Sequence, residues 1–168
     1  MSRTPFITLL ALAASVRVLA AEPALSVSYA EKTLQLSLED LGRLPHVVVV
    51  ATDPHEKVSH HYSGVSVHDL LASVGAPFGD KIHGVALQLA VLVRSQDGYT
   101  VLFALPEFDD SFSERTIIVA DRVDGAPLAG KSGPLRLIAP GDRHAARWAR
   151  MVASIEILQP APGGPKRP

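Results

Sequence analysis

The chain has 168 residues, 47% of them hydrophobic, which suffices for one domain of ordinary size and is too short for two. Its 16 Lys and Arg against 17 Asp and Glu lack the basic excess of a general nucleic-acid binder. With no Cys at all, disulfides, iron–sulfur clusters, thiolate zinc sites and Cys nucleophiles are excluded.

The first stretch reads as an export signal. Arg3 supplies the positive start, residues 7–16 are apolar, and Val18, Leu19, Ala20 and Ala21 offer cleavage after Ala20 or Ala21. Arg17 interrupts the run, leaving it short of the roughly 20 apolar residues a membrane span needs. A periplasmic or secreted protein with no membrane span after signal removal is expected, its domain over residues 22–158. Residues 159–168, rich in Pro and Gly, read as a disordered tail.

Strands are expected over 25–29 and 33–38, where apolar and polar residues alternate. Ser37 with Asp40 three residues on resembles a capping box, opening a short helix that stops before Pro45. Residues 47–51, Val-Val-Val-Val-Ala, read as a strand buried on both faces. The His-rich stretch 52–62 reads as a loop with some extended structure. Ser66 is expected to cap a helix through Leu70 and Leu71 that ends at Gly75. Residues 87–93 and 99–104 flank Asp97-Gly98, a hairpin signal, with Tyr99 offering a polar edge to a pocket. Strands over 116–120, 135–139 and 152–158 complete about eight short strands and two or three helices. That composition is α+β with a mixed sheet.

The order of motifs is recognisable. Ser37-Leu38-Glu39-Asp40-Leu41 and Leu44-Pro45 lead to Tyr62-Ser63-Gly64-Val65, then Leu70-Leu71 and Gly75. Asp97-Gly98-Tyr99, Ala120-Asp121-Arg122 and Asp124-Gly125-Ala126-Pro127-Leu128 follow. Gly133-Pro134-Leu135-Arg136-Leu137, Pro140-Gly141 and Arg147-Trp148 close the set. Over residues 25–158 this series resembles the oxidoreductase molybdopterin-binding domain, the sulfite-oxidase-like family, in its short exported form. The resemblance implies a mixed α+β fold and admits molybdopterin as a cofactor. It also implies a metal held by a Cys thiolate in the loop after an early strand. Here that loop is Thr52-Asp53-Pro54-His55, so Cys-ligated molybdenum is excluded. Ser132 and Arg147 stand where full-length members favour His and Lys.

Charge is divided along the chain. Lys131, Arg136, Arg143, Arg147 and Arg150 are opposed within their segment only by Asp142. Asp97, Glu107, Asp109, Asp110, Glu114, Asp121 and Asp124 outnumber Arg115 and Arg122 in the segment before it. Arginine forks suit phosphate and carboxylate. The basic C-terminal segment is therefore a candidate binding surface for an anionic ligand or cofactor: Arg136 and Arg147 first, then Arg143 and His144. The alternative is that the two segments pair with each other or face solvent. Trp148 is expected to fill the core.

His55, His60 and His61, near Asp53, Glu56 and His68, match no established metal motif, and adjacent His60 and His61 would point to opposite faces of a strand. No Ser–His–acid set is legible, so no catalytic residues are assigned. The leading reading is a non-catalytic or catalytically altered member of the fold that binds an anionic small molecule or a periplasmic protein partner. Three alternatives remain: an oxidoreductase whose molybdenum takes an oxygen ligand such as Asp53, an accessory subunit, and a metal-binding module on the His loop.

Overall fold

The structure, a computed structural model, describes residues 22–159, so the expected leader and the expected tail from residue 160 lie outside it. In chain order the elements are β1 (Leu25–Tyr29), β2 (Lys32–Leu36), α1 (Leu38–Arg43), β3 (Val47–Thr52), β4 (Ser59–Ser66), α2 (Val67–Ser73), β5 (Ala90–Ser95) and β6 (Thr100–Ala104). β7 (Ile118–Val123), β8 (Ala126–Pro127), β9 (Arg136–Ile138) and β10 (Val152–Leu158) follow, with short 3-10 turns between them.

Two five-stranded sheets result. The first runs β2-β1-β10-β5-β6; β1 and β10 are parallel and the other pairs antiparallel, so it is mixed. The second runs β3-β4-β7-β8 with β9 also on β7, all antiparallel. The expected α+β class holds. The alternation expected over 25–29 starts β1, where Leu25 and Val27 are buried and Ser26 and Ser28 less so, and β6 alternates too, with Val101 and Phe103 inward and Thr100, Leu102 and Ala104 outward. Side chains of both sheets, among them Val27, Ile155 and Phe103 from one and Tyr62, Val65 and Ile118 from the other, belong to a single core cluster. Leu70 and Leu71 of α2 join it, and α2 touches both β1 and β4.

Local chemistry explains the helix ends. Ser37 accepts from the Asp40 amide at 3.1 Å while Asp40 accepts from the Ser37 amide at 3.1 Å, the reciprocal box expected before α1. Gly75 follows α2 at φ 90°, as expected for a residue just past a helix end. Ser66 does not act as expected: its hydroxyl makes no capping bond. The first helical amide, Val67, donates instead to the Ile117 carbonyl at 3.0 Å, which ties the helix start to the segment before β7.

A larger correction concerns residues 47–51. The valine run is not buried on both faces. β3 is an edge strand, and Val48 and Val50 are 64% and 61% exposed. β-branched residues favour any pleated strand, whereas burial depends on which strands lie beside it. The stretch 52–62 is the expected loop with some extended structure: residues 53–58 turn, and β4 begins at Ser59. The strand expected over 87–93 is shifted, with a 3-10 turn at Gly84–Gln88 and β5 starting at Ala90. β4 in turn packs tightly on β7 at Gly64, where any Cβ would stand 2.1 Å from the Val119 carbonyl oxygen.

Candidate functional site

The turn after β3 is built around Asp53. Its amide donates to the Val58 carbonyl and its carbonyl accepts from the Lys57 amide, both at 2.8 Å. Its carboxylate Oδ1 accepts from the amides of His55 at 2.8 Å and Glu56 at 3.3 Å. The other oxygen, Oδ2, accepts from Arg136 Nη2 at 2.9 Å. Asp53 and Arg136 are only 3% and 6% exposed, so this is a buried ion pair. Burial pushes the Asp53 carboxyl up, but the His55 amide and the Arg136 guanidinium outweigh it and hold it below its ordinary value.

Arg136 is the first residue of β9, opposite Ala120 of β7. Its guanidinium carbon lies 5.9 Å from the Tyr62 ring centre and 5.5 Å from that of Trp148. The two rings meet edge to face at 89°. Aromatic faces suit a weakly hydrated planar cation. Trp148 is buried as expected, with Nε1 donating to the Ala139 carbonyl at 2.9 Å. Burial raises the Tyr62 phenol against the opposing pull of Arg136.

Arg136 forms a wall shared by two cavities. One, of about 280 Å³, is lined by His55, Ser95, Asp97, Tyr99, Arg136, Ala145, Ala146, Trp148, Ala149 and Arg150. The other, of about 210 Å³, includes Asp53, Glu56, His60, Tyr62, Ser132 and Arg136. An isolated antiparallel bridge sets Arg150 opposite Arg136, and the Tyr99 hydroxyl closes one side by donating to the Ala146 carbonyl at 2.6 Å. Two buried atoms on the larger cavity's lining residues, Arg136 Nε and Ser95 Oγ, have no hydrogen-bond partner among the described residues.

The four expected anion-binding residues do not come together. Arg136 reaches the cavities. Arg143 and His144 are exposed and line neither. Arg147 turns to carboxylates: Nε donates to Asp142 Oδ2 at 2.9 Å, Nη2 to Asp142 Oδ1 at 2.7 Å and Nη1 to Glu107 Oε2 at 3.1 Å. Arg115 closes the same ring through Glu107 and Asp142, and Arg147 stacks 4.4 Å over the Phe103 ring. For Arg147 the basic segment pairs with acids of the chain itself. Arg150, Ser95 and His55 line the cavity and were not among the expected binders. Arg150 belonged to the same basic run, but nothing local distinguished it from Arg147.

The His loop separates as well. His55 lines the larger cavity and His60 the smaller. His60 is held by Asp124 at 2.6 Å and Glu56 at 3.3 Å, while His61 is exposed. Among the described residues, no three His, Asp or Glu side chains are grouped to hold a metal ion. Nor is any helix among them long and apolar enough to cross a membrane.

A molybdenum centre of the kind implied by the resemblance does not fit these residues. The chain has no thiolate to offer. The one acid in the equivalent turn that faces inward, Asp53, has both oxygens engaged by two amides and a guanidinium.

The fold itself has known relatives. A solved structure of the sulfane dehydrogenase SoxCD from Paracoccus pantotrophus is similar at a TM-score of 0.60 and 21% identity, a likeness of fold. The match covers 79% of this chain and 37% of that one, so this chain spans well under half of that neighbour's length. No curated protein matches this chain. A family model described as the oxidoreductase molybdopterin binding domain matches residues 15–165. The motif order, the paired sheets and that near full-length match lead to one statement: the chain belongs to the oxidoreductase molybdopterin-binding domain family.

Proposed function

We propose that this chain is an exported, non-redox member of its family that holds a small anionic ligand in the cavity beside Arg136 and Arg150. The observation that carries the reading is the pair of unpartnered buried atoms, Arg136 Nε and Ser95 Oγ, on residues lining an open cavity. A buried donor without a partner costs about 1–3 kcal/mol, which an incoming acceptor recovers. Arg136 alone is a poor anion receptor, because Asp53 already neutralises it. Arg150 carries no ion pair among the described residues and supplies a cation that no carboxylate contacts. Polar groups converging on a concave site fit a ligand-binding reading better than a packing one.

Molybdopterin is one anion of this kind by family, through its phosphate. An active oxidoreductase with Asp53 on the metal is disfavoured by the three hydrogen bonds that carboxylate accepts.

Calorimetric titration of the mature protein with sulfate, phosphate and acetate tests the reading. One-to-one binding is expected, weakened about tenfold by Arg150→Gln and by added salt, since a charge-assisted contact is lost or screened. Flat titrations for all three overturn it. Molybdenum analysis of the same protein is expected to find no stoichiometric metal; one atom per chain overturns the non-redox reading. Mass spectrometry of protein recovered from a periplasmic fraction should begin at Ala21 or Glu22. Retention of Met1 in the cytoplasm overturns export.

A further inference from the structure

The larger cavity carries more than positive charge. Asp97, from the turn joining β5 and β6, lines it together with Arg150, the residue set opposite Arg136 before β10. These two opposite charges share a cavity of about 280 Å³ without pairing with each other, and among the described residues neither forms an ion pair with any other side chain. Asp97 Oδ1 accepts from the Tyr99 amide at 3.0 Å, a turn contact that fixes where the carboxylate stands. The cavity therefore carries a cation at Arg150 and an anion at Asp97, and the unpartnered Arg136 Nε and Ser95 Oγ lie buried on two further lining residues. A simple anion would satisfy the donors and be repelled by Asp97. A ligand with a negative group at one end and an ammonium at the other satisfies both.

We propose that the ligand is a small zwitterion of the amino-acid type, with its acid group at Arg150 and the Arg136 and Ser95 side chains, and its ammonium group at Asp97. The proposal rests on the cavity reading above and narrows it. Spacing between the two charges then becomes the basis of selectivity: a hairpin turn fixes the Asp97 carboxylate, and a strand bridge fixes the backbone from which Arg150 extends.

The test is calorimetric titration of the mature protein with acetate, ethylamine, glycine, β-alanine and 4-aminobutanoate, which carry one charge or two at increasing separation. At least one zwitterion is expected to bind about tenfold more tightly than acetate and than ethylamine, the gain of one additional charge-assisted contact. Asp97→Asn should bring that ratio close to one, since the zwitterion loses its partner and acetate loses a repelling neighbour. The amide still accepts from the Tyr99 backbone, and an unchanged melting temperature shows that the turn persists. Acetate binding as tightly as every zwitterion, or a ratio untouched by Asp97→Asn, overturns the zwitterion inference and leaves the anion site standing. Failure of acetate and all zwitterions to bind overturns both.

Discussion

Arg136 sits where three demands meet: it neutralises Asp53, is flanked by the Tyr62 and Trp148 rings, and leaves Nε without a partner. Removing one member of a buried pair strands the other's charge, which costs about 3–5 kcal/mol, whereas replacing both by apolar groups is often neutral. Asp53→Ala is therefore expected to lower the urea unfolding free energy by about 3 kcal/mol or more. The double change Asp53→Ala with Arg136→Met should recover most of that loss, giving a coupling energy of the same order in a double-mutant cycle. Additive losses would show that the pair contributes no mutual stabilisation. The residue scale is also where sequence reading reached least far. Arg136 and Arg147 look alike as basic residues in one run, yet one borders a cavity and the other lies in a ring of carboxylates. That difference depends on Asp53, Glu107 and Asp142, and on which of them the fold brings near.

Among elements, the two helices contrast in how they begin. Ser37 caps α1 through its hydroxyl, and Ser66 stands before α2 without doing so. Ser37→Ala is expected to cost about 1 kcal/mol and Ser66→Ala to fall within about 0.5 kcal/mol of wild type, both by chemical denaturation. Equal losses would mean that the hydroxyl of Ser66 has a role outside capping. The α1 cap, the β5–β6 hairpin and the alternation at the start of β1 were legible because each depends on neighbours within a few residues. The edge position of β3 was not. Val47 to Val50 have the same strand preference whether β3 has one neighbour or two, and only β4 pairs with it.

Across the whole molecule, ionisation should give stability an optimum in mild acid. Burial raises the Asp142 carboxyl, but Arg147 and Arg115 outweigh it and hold it below its ordinary value, as the surroundings of Asp53 also do there. Carboxyls depressed on folding stabilise above their unfolded value of about 3.9, and this contribution is lost as pH falls through the folded value. His60 behaves in the opposite sense. Its hydrogen bond to Asp124, aided by Glu56, raises it above its ordinary value, so its contribution is full below about pH 6.5 and fades as pH rises through the folded value. The melting temperature is expected to peak between about pH 5 and 6.5, fall steeply below about pH 4 and decline gently on the alkaline side. His60→Gln should remove the alkaline decline and leave the acid limb. A decline that survives the substitution would assign it to another group.

By itself, the sequence determined the family, the α+β class, the absence of a metal thiolate and the division of charge along the chain. Those properties reside in residue identity, order and short-range spacing. Spatial packing alone settles that Asp53 neutralises Arg136, that Glu107 joins Asp142 on Arg147, that Arg150 has no ion pair among the described residues, and that Asp97 shares a cavity with it. Asp53 and Arg136, Glu107 and Arg147, and Asp97 and Arg150 each lie tens of positions apart, and side-chain charge acts over a few ångströms of space regardless of distance along the chain.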